Sequence, residues 1–173
     1  MDAEGWLTGV ARQLSPNCDE RPPGLPVELV VIHNISLPPG EFGGPGVIEL
    51  FTNQLDPAAH PYYAEIHTLR VSAHLFIRRD GQVIQCVPFG KRAWHAGVSS
   101  WQGRARCNDF SIGIELEGTD DTPFTEAQYV ALQAVLVSLK AHYPSLAVTG
   151  HSDIAPGRKT DPGPCFDWGR VGL

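Results

Sequence analysis

The run VELVVIHN, residues 27–34, sets the architecture expected for this 173-residue chain. A short, continuous apolar run is typical of a strand that is buried on both faces of a sheet. FSIGIELEG (110–118) and LAVTGH (146–151) are predicted to be further strands. AHLFIRRDGQVIQCVPF (73–89) is predicted to be a hairpin that turns at Asp80-Gly81. Together these strands predict an α/β fold with a central mixed β-sheet flanked by helices.

The main helix is predicted over residues 125–143. Thr125 and Gln128 form a capping box at its start, and apolar side chains recur at helical spacing along one face. No linker divides the chain, so we expect a single domain over residues 1–173. Residues 1–28 are rich in proline and are expected to form an irregular N-terminal arm. The long Gly/Pro loop at 36–46 is expected to wall or cover a site.

Composition and charge exclude several classes of protein. The net charge of −6 argues against a nucleic-acid surface, which needs clustered Lys and Arg. No apolar run approaches the roughly 20 residues of a membrane span, and the N-terminus lacks the pattern of a signal peptide. The four cysteines are scattered without CxxC spacing. We therefore expect a cytoplasmic protein with no membrane, nucleic-acid or obligate protein partner.

Three side chains suggest a metal site. His33 and His151 each stand where a predicted strand gives way to a loop, which is where α/β sheets place ligand-binding residues. Asp161 follows His151 across HSDIAPGRKTDPG (151–163), a segment whose prolines and glycines predict a loop. Two imidazoles and one carboxylate suit a hydrolytic zinc ion with an open fourth position. The alternatives are hydrogen-bonded structural histidines and a turn carboxylate at Asp161.

Several motifs together resemble one known family. They are HNISLPPGEFGGP (33–45), LRVSAH (69–74), IRRDG (77–81), WHAGVS (94–99), CNDFSIGIELEG (107–118) and GHSDIAPGRKTDPGP (150–164). They resemble the amidase-2 family, and within it the bacterial 1,6-anhydro-N-acetylmuramoyl-L-alanine amidases. The resemblance implies the fold that this family shares with phage amidase lysozymes and peptidoglycan-recognition proteins. It also implies one Zn²⁺ per chain, held by His33, His151 and Asp161; Cys165 is the weaker alternative as third ligand.

The resemblance further implies that Glu115 is the general acid/base and that Lys159 stabilises the transition state. Both roles make chemical sense, because amide hydrolysis needs a proton carrier and a positive charge near the developing oxyanion. The alternative for Glu115 is a surface carboxylate, since Glu117 beside it is expected to alternate outward. The alternative for Lys159 is a solvated loop cation.

The implied substrate is a recycled anhydromuropeptide, cleaved between the lactyl group of the sugar and L-alanine. Arg70 and Arg106 are candidates to bind its carboxylates. Trp94 is a candidate to stack on the sugar, and Asn34 to bond a peptide carbonyl. Core or exposed structural roles are the alternatives for all four, and His74 and His95 are expected to play supporting roles. The resemblance would also connect the enzyme with β-lactamase induction.

Three rival functions agree less well with the sequence. The first is a peptidoglycan-binding module that has lost catalysis, but such modules usually lack a metal ligand, whereas His33, His151 and Asp161 are all present here. A structural zinc domain would need a further Cys or His to close the fourth position. An amidase exported to act on intact wall would be expected to carry a signal peptide.

Overall fold

A computed structural model describes residues 1–171 of the chain. Within those residues there are ten strands and four α-helices. In chain order they are β1 (Ala11–Arg12), β2 (Cys18–Glu20), β3 (Leu29–Ile35), α1 (Gly46–Phe51), α2 (Pro61–Ile66), β4 (Leu75–Ile77), β5 (Val83–Gln85), β6 (Lys91–Ala93), β7 (Ser100–Trp101), β8 (Arg104–Ala105), β9 (Ser111–Glu117), α3 (Glu126–His142), β10 (Ala147–Gly150) and α4 (His151–Ile154).

The central sheet has six strands in the order β1-β5-β4-β9-β3-β10. β4, β9, β3 and β10 run parallel to one another, β5 is antiparallel to β4, and β1 is parallel to β5. Every residue of β9 is buried, as are the first five of β3, because these strands lie in the middle of the sheet. The predicted mixed sheet is confirmed.

Helices pack on both faces of the sheet. α3 begins at the predicted capping box, in which Gln128 N–H donates to Thr125 Oγ1 over 3.2 Å. Its buried face joins one core cluster with alternate side chains of the central strands, among them Ile32 and Ile114. α1 and α2 pack against the opposite face of β4, where Phe76 belongs to a second cluster. His33 and Glu115 alternate away from Ile32 and Ile114, so they lie on the face opposite α3.

The hairpin is confirmed, but three local expectations need correction. The N-terminal arm is not irregular throughout, because β1 extends the central sheet and β2 pairs with β6. These strands are two and three residues long, too short to show an alternating pattern in the sequence. β3 continues to Ile35, so His33 lies inside the strand rather than at its end. The segment 151–163 begins with the single helical turn α4, where Asp153 Oδ2 accepts hydrogen bonds from Gly150 N–H and Thr149 Oγ1.

The longest helix of residues 1–171 is α3, with 17 residues. None of the helices described is both long and apolar enough to cross a membrane.

Candidate active site

Strand register places the main candidate residues side by side. In the parallel pair β3 and β9, His33 lies opposite Glu115, so the two side chains project from the same face. β10 pairs with the other edge of β3, with Gly150 opposite Ile32, and the chain then enters His151. The expected convergence of the two histidines therefore follows from the neighbouring positions of β3 and β10.

His33, His151 and Asp161 form a tight triangle of potential ligand atoms. The two Nδ1 atoms are 2.9 Å apart, and each lies 3.0 Å from Asp161 Oδ2. Among the His, Cys, Asp and Glu side chains of residues 1–171, these three lie close enough together to hold one metal ion. Cys165, the alternative third ligand, does not belong to this group. The backbone supports the triangle, because Ser152 N–H donates to the carbonyl of Asp161 over 2.9 Å.

The remaining nitrogen of each imidazole has a hydrogen-bond partner within the protein. His151 Nε2 lies 3.1 Å from the carbonyl of Ala96, which can only accept, so Nε2 is protonated and Nδ1 offers a lone pair. His33 Nε2 lies 2.9 Å from Nδ1 of His95, whose own Nε2 lies 3.1 Å from Ser111 Oγ. If His33 Nε2–H donates to His95, then Nδ1 of His33 is also free to bind a cation. Such hydrogen bonds commonly orient metal-ligating histidines.

These donors fit zinc. Two neutral nitrogens and one carboxylate oxygen match its preferred ligands, and three ligands leave a position open. Tetrahedral zinc with bonds of about 2.0–2.1 Å separates its ligand atoms by about 3.3 Å. The observed separations of 2.9 Å and 3.0 Å require the triangle to open by only a few tenths of an ångström.

Burial and neighbouring groups shift the pKa values of His33, Asp161 and Glu115. Burial lowers the pKa of His33 to about 4, which keeps the imidazole neutral. Burial acts to raise the pKa of Asp161, but the close approach of the His151 and His33 imidazoles outweighs it and holds the pKa below its usual range. Burial raises the pKa of Glu115 well above its usual range, the Asp161 carboxylate adds to this, and Lys159 opposes it.

Glu115 and Lys159 both face one cleft of about 650 Å³, which the three potential ligands also line. Glu115 is 9% exposed, and its Oε2 has no hydrogen-bond partner within residues 1–171. A buried carboxylate oxygen without a partner is costly, so a functional role is the natural explanation. Lys159 is exposed at the cleft and forms no ion pair with the residues described.

The 36–46 loop forms part of the cleft wall, through Leu37 and Gly40 among others. Glu117 holds this loop, because its Oε1 accepts from Gly43 N–H over 2.6 Å while its Oε2 accepts from Arg79 N–H over 3.0 Å. Glu117 is therefore buried, and the expectation that it alternates outward is wrong. The sequence does not predict this arrangement, because the two donors, Gly43 and Arg79, lie in loops far from Glu117 along the chain.

The four predicted substrate-binding residues are not all brought together. Asn34 lines the cleft with His33. Arg70 is exposed, and its Nη1 donates to the carbonyls of His67 and Leu69. Trp94 and Arg106 line a separate hollow of about 190 Å³, where Trp94 Nε1 donates to Asp19 over 3.2 Å. Arg106 there pairs with Asp109 over 3.2 Å.

His95 supports the potential metal site from behind His33. It is buried in direct contact with His33. A sequence signal for it does exist in Gly113, which interrupts the apolar residues of β9. A Cβ at Gly113 would lie 2.4 Å from Cγ of His95, so the glycine leaves space for the imidazole. Asp120, which contacts Asn34, carried no comparable signal.

Residues 23–164 match the model of the amidase-2 family, described as N-acetylmuramoyl-L-alanine amidase. The chain belongs to the amidase-2 family. It is an enzyme, an N-acetylmuramoyl-L-alanine amidase, and the resemblance seen in its motifs is confirmed. The family model covers every candidate residue of the cleft described above.

Individual relatives agree with this assignment. The amidase is 63% identical over 169 residues to 1,6-anhydro-N-acetylmuramyl-L-alanine amidase AmpD of Escherichia coli K12, covering 96% of this chain and 92% of that protein. Its structure matches a crystal structure of a selenomethionine derivative of AmpD with a TM-score of 0.96 and 61% identity, covering 99% of this chain and 97% of the other. It also matches the amidase AmiD of E. coli in complex with anhydro-N-acetylmuramic acid-L-Ala-D-γ-Glu-L-Lys, with a TM-score of 0.62 and 30% identity, over 88% and 59% of the two chains.

Proposed function

We propose that this amidase uses one zinc ion to hydrolyse the amide between the lactyl group of 1,6-anhydro-N-acetylmuramic acid and L-alanine. The observation that carries the proposal is the triangle of His33 Nδ1, His151 Nδ1 and Asp161 Oδ2 in one cleft with a buried, unpartnered Glu115 oxygen. The names of AmpD and of the ligand in the AmiD complex support the choice of an anhydromuropeptide as substrate.

His33, His151 and Asp161 would hold the zinc ion. When bound, zinc supplies a Lewis acid that acidifies water and polarises a carbonyl. His95 and the carbonyl of Ala96 keep the two imidazoles oriented with Nδ1 toward the ion. One ion per chain agrees with the single cluster of suitable ligands within residues 1–171.

Glu115 is the proposed proton carrier. Its desolvated carboxylate favours the protonated form, so it readily accepts a proton from the attacking water and then passes it to the departing amine nitrogen. Lys159 is the proposed electrostatic stabiliser. Its ammonium group lies at the same cleft, where a fixed positive charge favours the oxyanion that develops as the amide is attacked.

Asn34 is the proposed binding residue inside the cleft. Trp94 and Arg106 would meet only a substrate that extends past the segment 94–97, since His95 lines the cleft while Trp94 and Gly97 line the neighbouring hollow. Arg70 would have to leave its backbone partners to reach a ligand. On this proposal the enzyme acts on recycled fragments in the cytoplasm, where depletion of such fragments would link it to β-lactamase induction.

The test is hydrolysis of anhydromuramyl-tripeptide, with products followed by mass spectrometry. We expect release of the free tripeptide, loss of activity on exhaustive chelation, and recovery on adding zinc. His151→Ala should lose both zinc and activity, because two ligands hold the ion poorly. Full activity of a verified metal-free sample would contradict the zinc mechanism. Equal rates on an otherwise identical muramyl-tripeptide with an ordinary reducing sugar would contradict the anhydro specificity.

A further inference from the structure

The side-chain amide of Asn34 has both N–H groups occupied by the protein itself. Its Nδ2 donates to Oδ1 of Asp120 over 2.7 Å and to the carbonyl of Pro162 over 3.1 Å. A primary amide has two N–H donors, so none is left over for a ligand. Its carbonyl oxygen, Oδ1, accepts no hydrogen bond from residues 1–171, although Asn34 lines the cleft.

The two partners of Asn34 fix the direction of the amide. Turning the group over would place Oδ1 against a carboxylate oxygen and a carbonyl oxygen, and neither can donate a proton. It would also leave both of those acceptors without the hydrogen bonds that they now receive. Because Asp120 and Pro162 occupy both N–H groups, the group that Asn34 can offer to a ligand in the cleft is the acceptor Oδ1.

The position of Asp120 is itself fixed by close packing. Gly163 has a positive φ of 80°, and a Cβ there would lie 2.4 Å from the Cα of Asp120. A glycine at this point thus lets the backbone of Asp120 approach the end of the 151–163 loop. That loop also supplies Asp161 to the potential metal site and the Pro162 carbonyl to Asn34.

We propose that Asn34 Oδ1 accepts a hydrogen bond from a peptide N–H of the substrate, and that Asp120 is the positioning residue that enforces this polarity. The inference deepens the proposed function and rests on it. It reverses the direction expected from the sequence, where Asn34 was to donate to a peptide carbonyl. The peptide part of an anhydromuropeptide offers such N–H donors beyond the scissile bond, and Asn34 selects for them.

The experiment compares anhydromuramyl-tripeptide with two depsipeptide analogues. In each analogue, an ester oxygen replaces the N–H of one of the two amides that follow the scissile bond, so the reacting bond is unchanged. The zinc-loaded full chain should hydrolyse one analogue with kcat/KM lower by about 3- to 10-fold, the effect of losing one neutral hydrogen bond. Asn34→Ala should hydrolyse that analogue and the parent equally well.

The role of Asp120 is tested with the same ratio, that of kcat/KM for the parent to kcat/KM for the analogue. In Asp120→Ala only the longer hydrogen bond to the Pro162 carbonyl still holds the amide of Asn34, so the amide turns over more readily and the ratio should fall toward one, mainly through a higher KM for the parent. Asp121→Asn is the matched control, because it removes a neighbouring exposed carboxylate without touching Asn34. It should keep the wild-type ratio, whereas a merely structural role of Asp120 would lower the melting temperature and leave the ratio unchanged.

The results separate this inference from the function on which it rests. If the wild-type enzyme hydrolyses the parent and both analogues at equal rates, the role of Asn34 as acceptor is refuted and the amidase function stands. An unchanged ratio in Asp120→Ala refutes the positioning role of Asp120. If the wild-type enzyme does not hydrolyse the parent, the proposed function itself fails.

Discussion

The two halves of the site are built differently. His33 and Glu115 lie on adjacent central strands, where backbone register fixes both and the sheet buries them. His151, Lys159 and Asp161 lie in the segment 151–163, which begins with the helical turn α4 and is held by individual hydrogen bonds. Arg158 Nη2, for example, donates to the carbonyls of Ala96 and Val98 over 2.7 Å and 2.6 Å.

The difference matters for the chemistry assigned to each half. A carboxylate needs burial for a raised pKa, and a central strand provides that burial. Lys159 is exposed at the cleft because the segment that carries it lies on the surface. The strand half should therefore tolerate removal of a functional group without rearrangement, and the loop half should depend more on its local contacts.

The largest expected effect concerns the strand half. Glu115→Gln keeps the size of the side chain and removes the proton carrier, so kcat should fall by about 10²- to 10⁴-fold. Zinc content should be unchanged, because Glu115 is outside the ligand triangle. Since a buried carboxylate without a partner is replaced by a neutral group, the melting temperature should stay the same or rise. Near-normal turnover would exclude Glu115 as the proton carrier.

A smaller loss is expected for the loop half. Lys159→Ala should lower kcat by about 10²- to 10³-fold, the typical effect of losing one group that stabilises an oxyanion. Lys159→Arg should recover only part of the activity, because the charge returns with a different geometry. Kinetics, zinc content and melting temperature are measured for both variants. Zinc loss in Lys159→Ala would show instead that this side chain holds the loop together.

The smallest of these three effects concerns zinc affinity, and it tests whether His95 orients the His33 imidazole. His95→Phe removes the acceptor for His33 Nε2–H, so zinc affinity should fall by about 10- to 100-fold. Competition with a chelator measures the affinity directly, without reference to turnover. His74→Phe is the matched control, since His74 is also buried but contacts Gly113, Lys91 and Arg21 rather than a proposed zinc ligand. Equal losses of affinity in both variants would contradict an orienting role for His95.

Much of this architecture could be predicted because it depends on local patterns. The apolar run of β3 and the capping box at Thr125 each indicate an element within a few residues of chain. His33, His151 and Asp161 were found because their chemistry and motifs are distinctive, and the structure brings them together. The edge strands β1 and β2 could not be found, since the pairing partner defines strands so short.

The sequence by itself determined the main strands and the main helix, the residues expected to bind a metal, and the family to which the amidase belongs. Only the tertiary structure decided the strand order that sets Glu115 beside His33, the burial of Glu117 and the separation of Trp94 from the cleft. It also decided the direction of the Asn34 amide, which depends on Asp120, a residue 86 positions away. The physical reason is range: helix caps and apolar runs act between near neighbours, whereas burial, pKa and hydrogen-bond polarity are set by groups that only folding brings into contact.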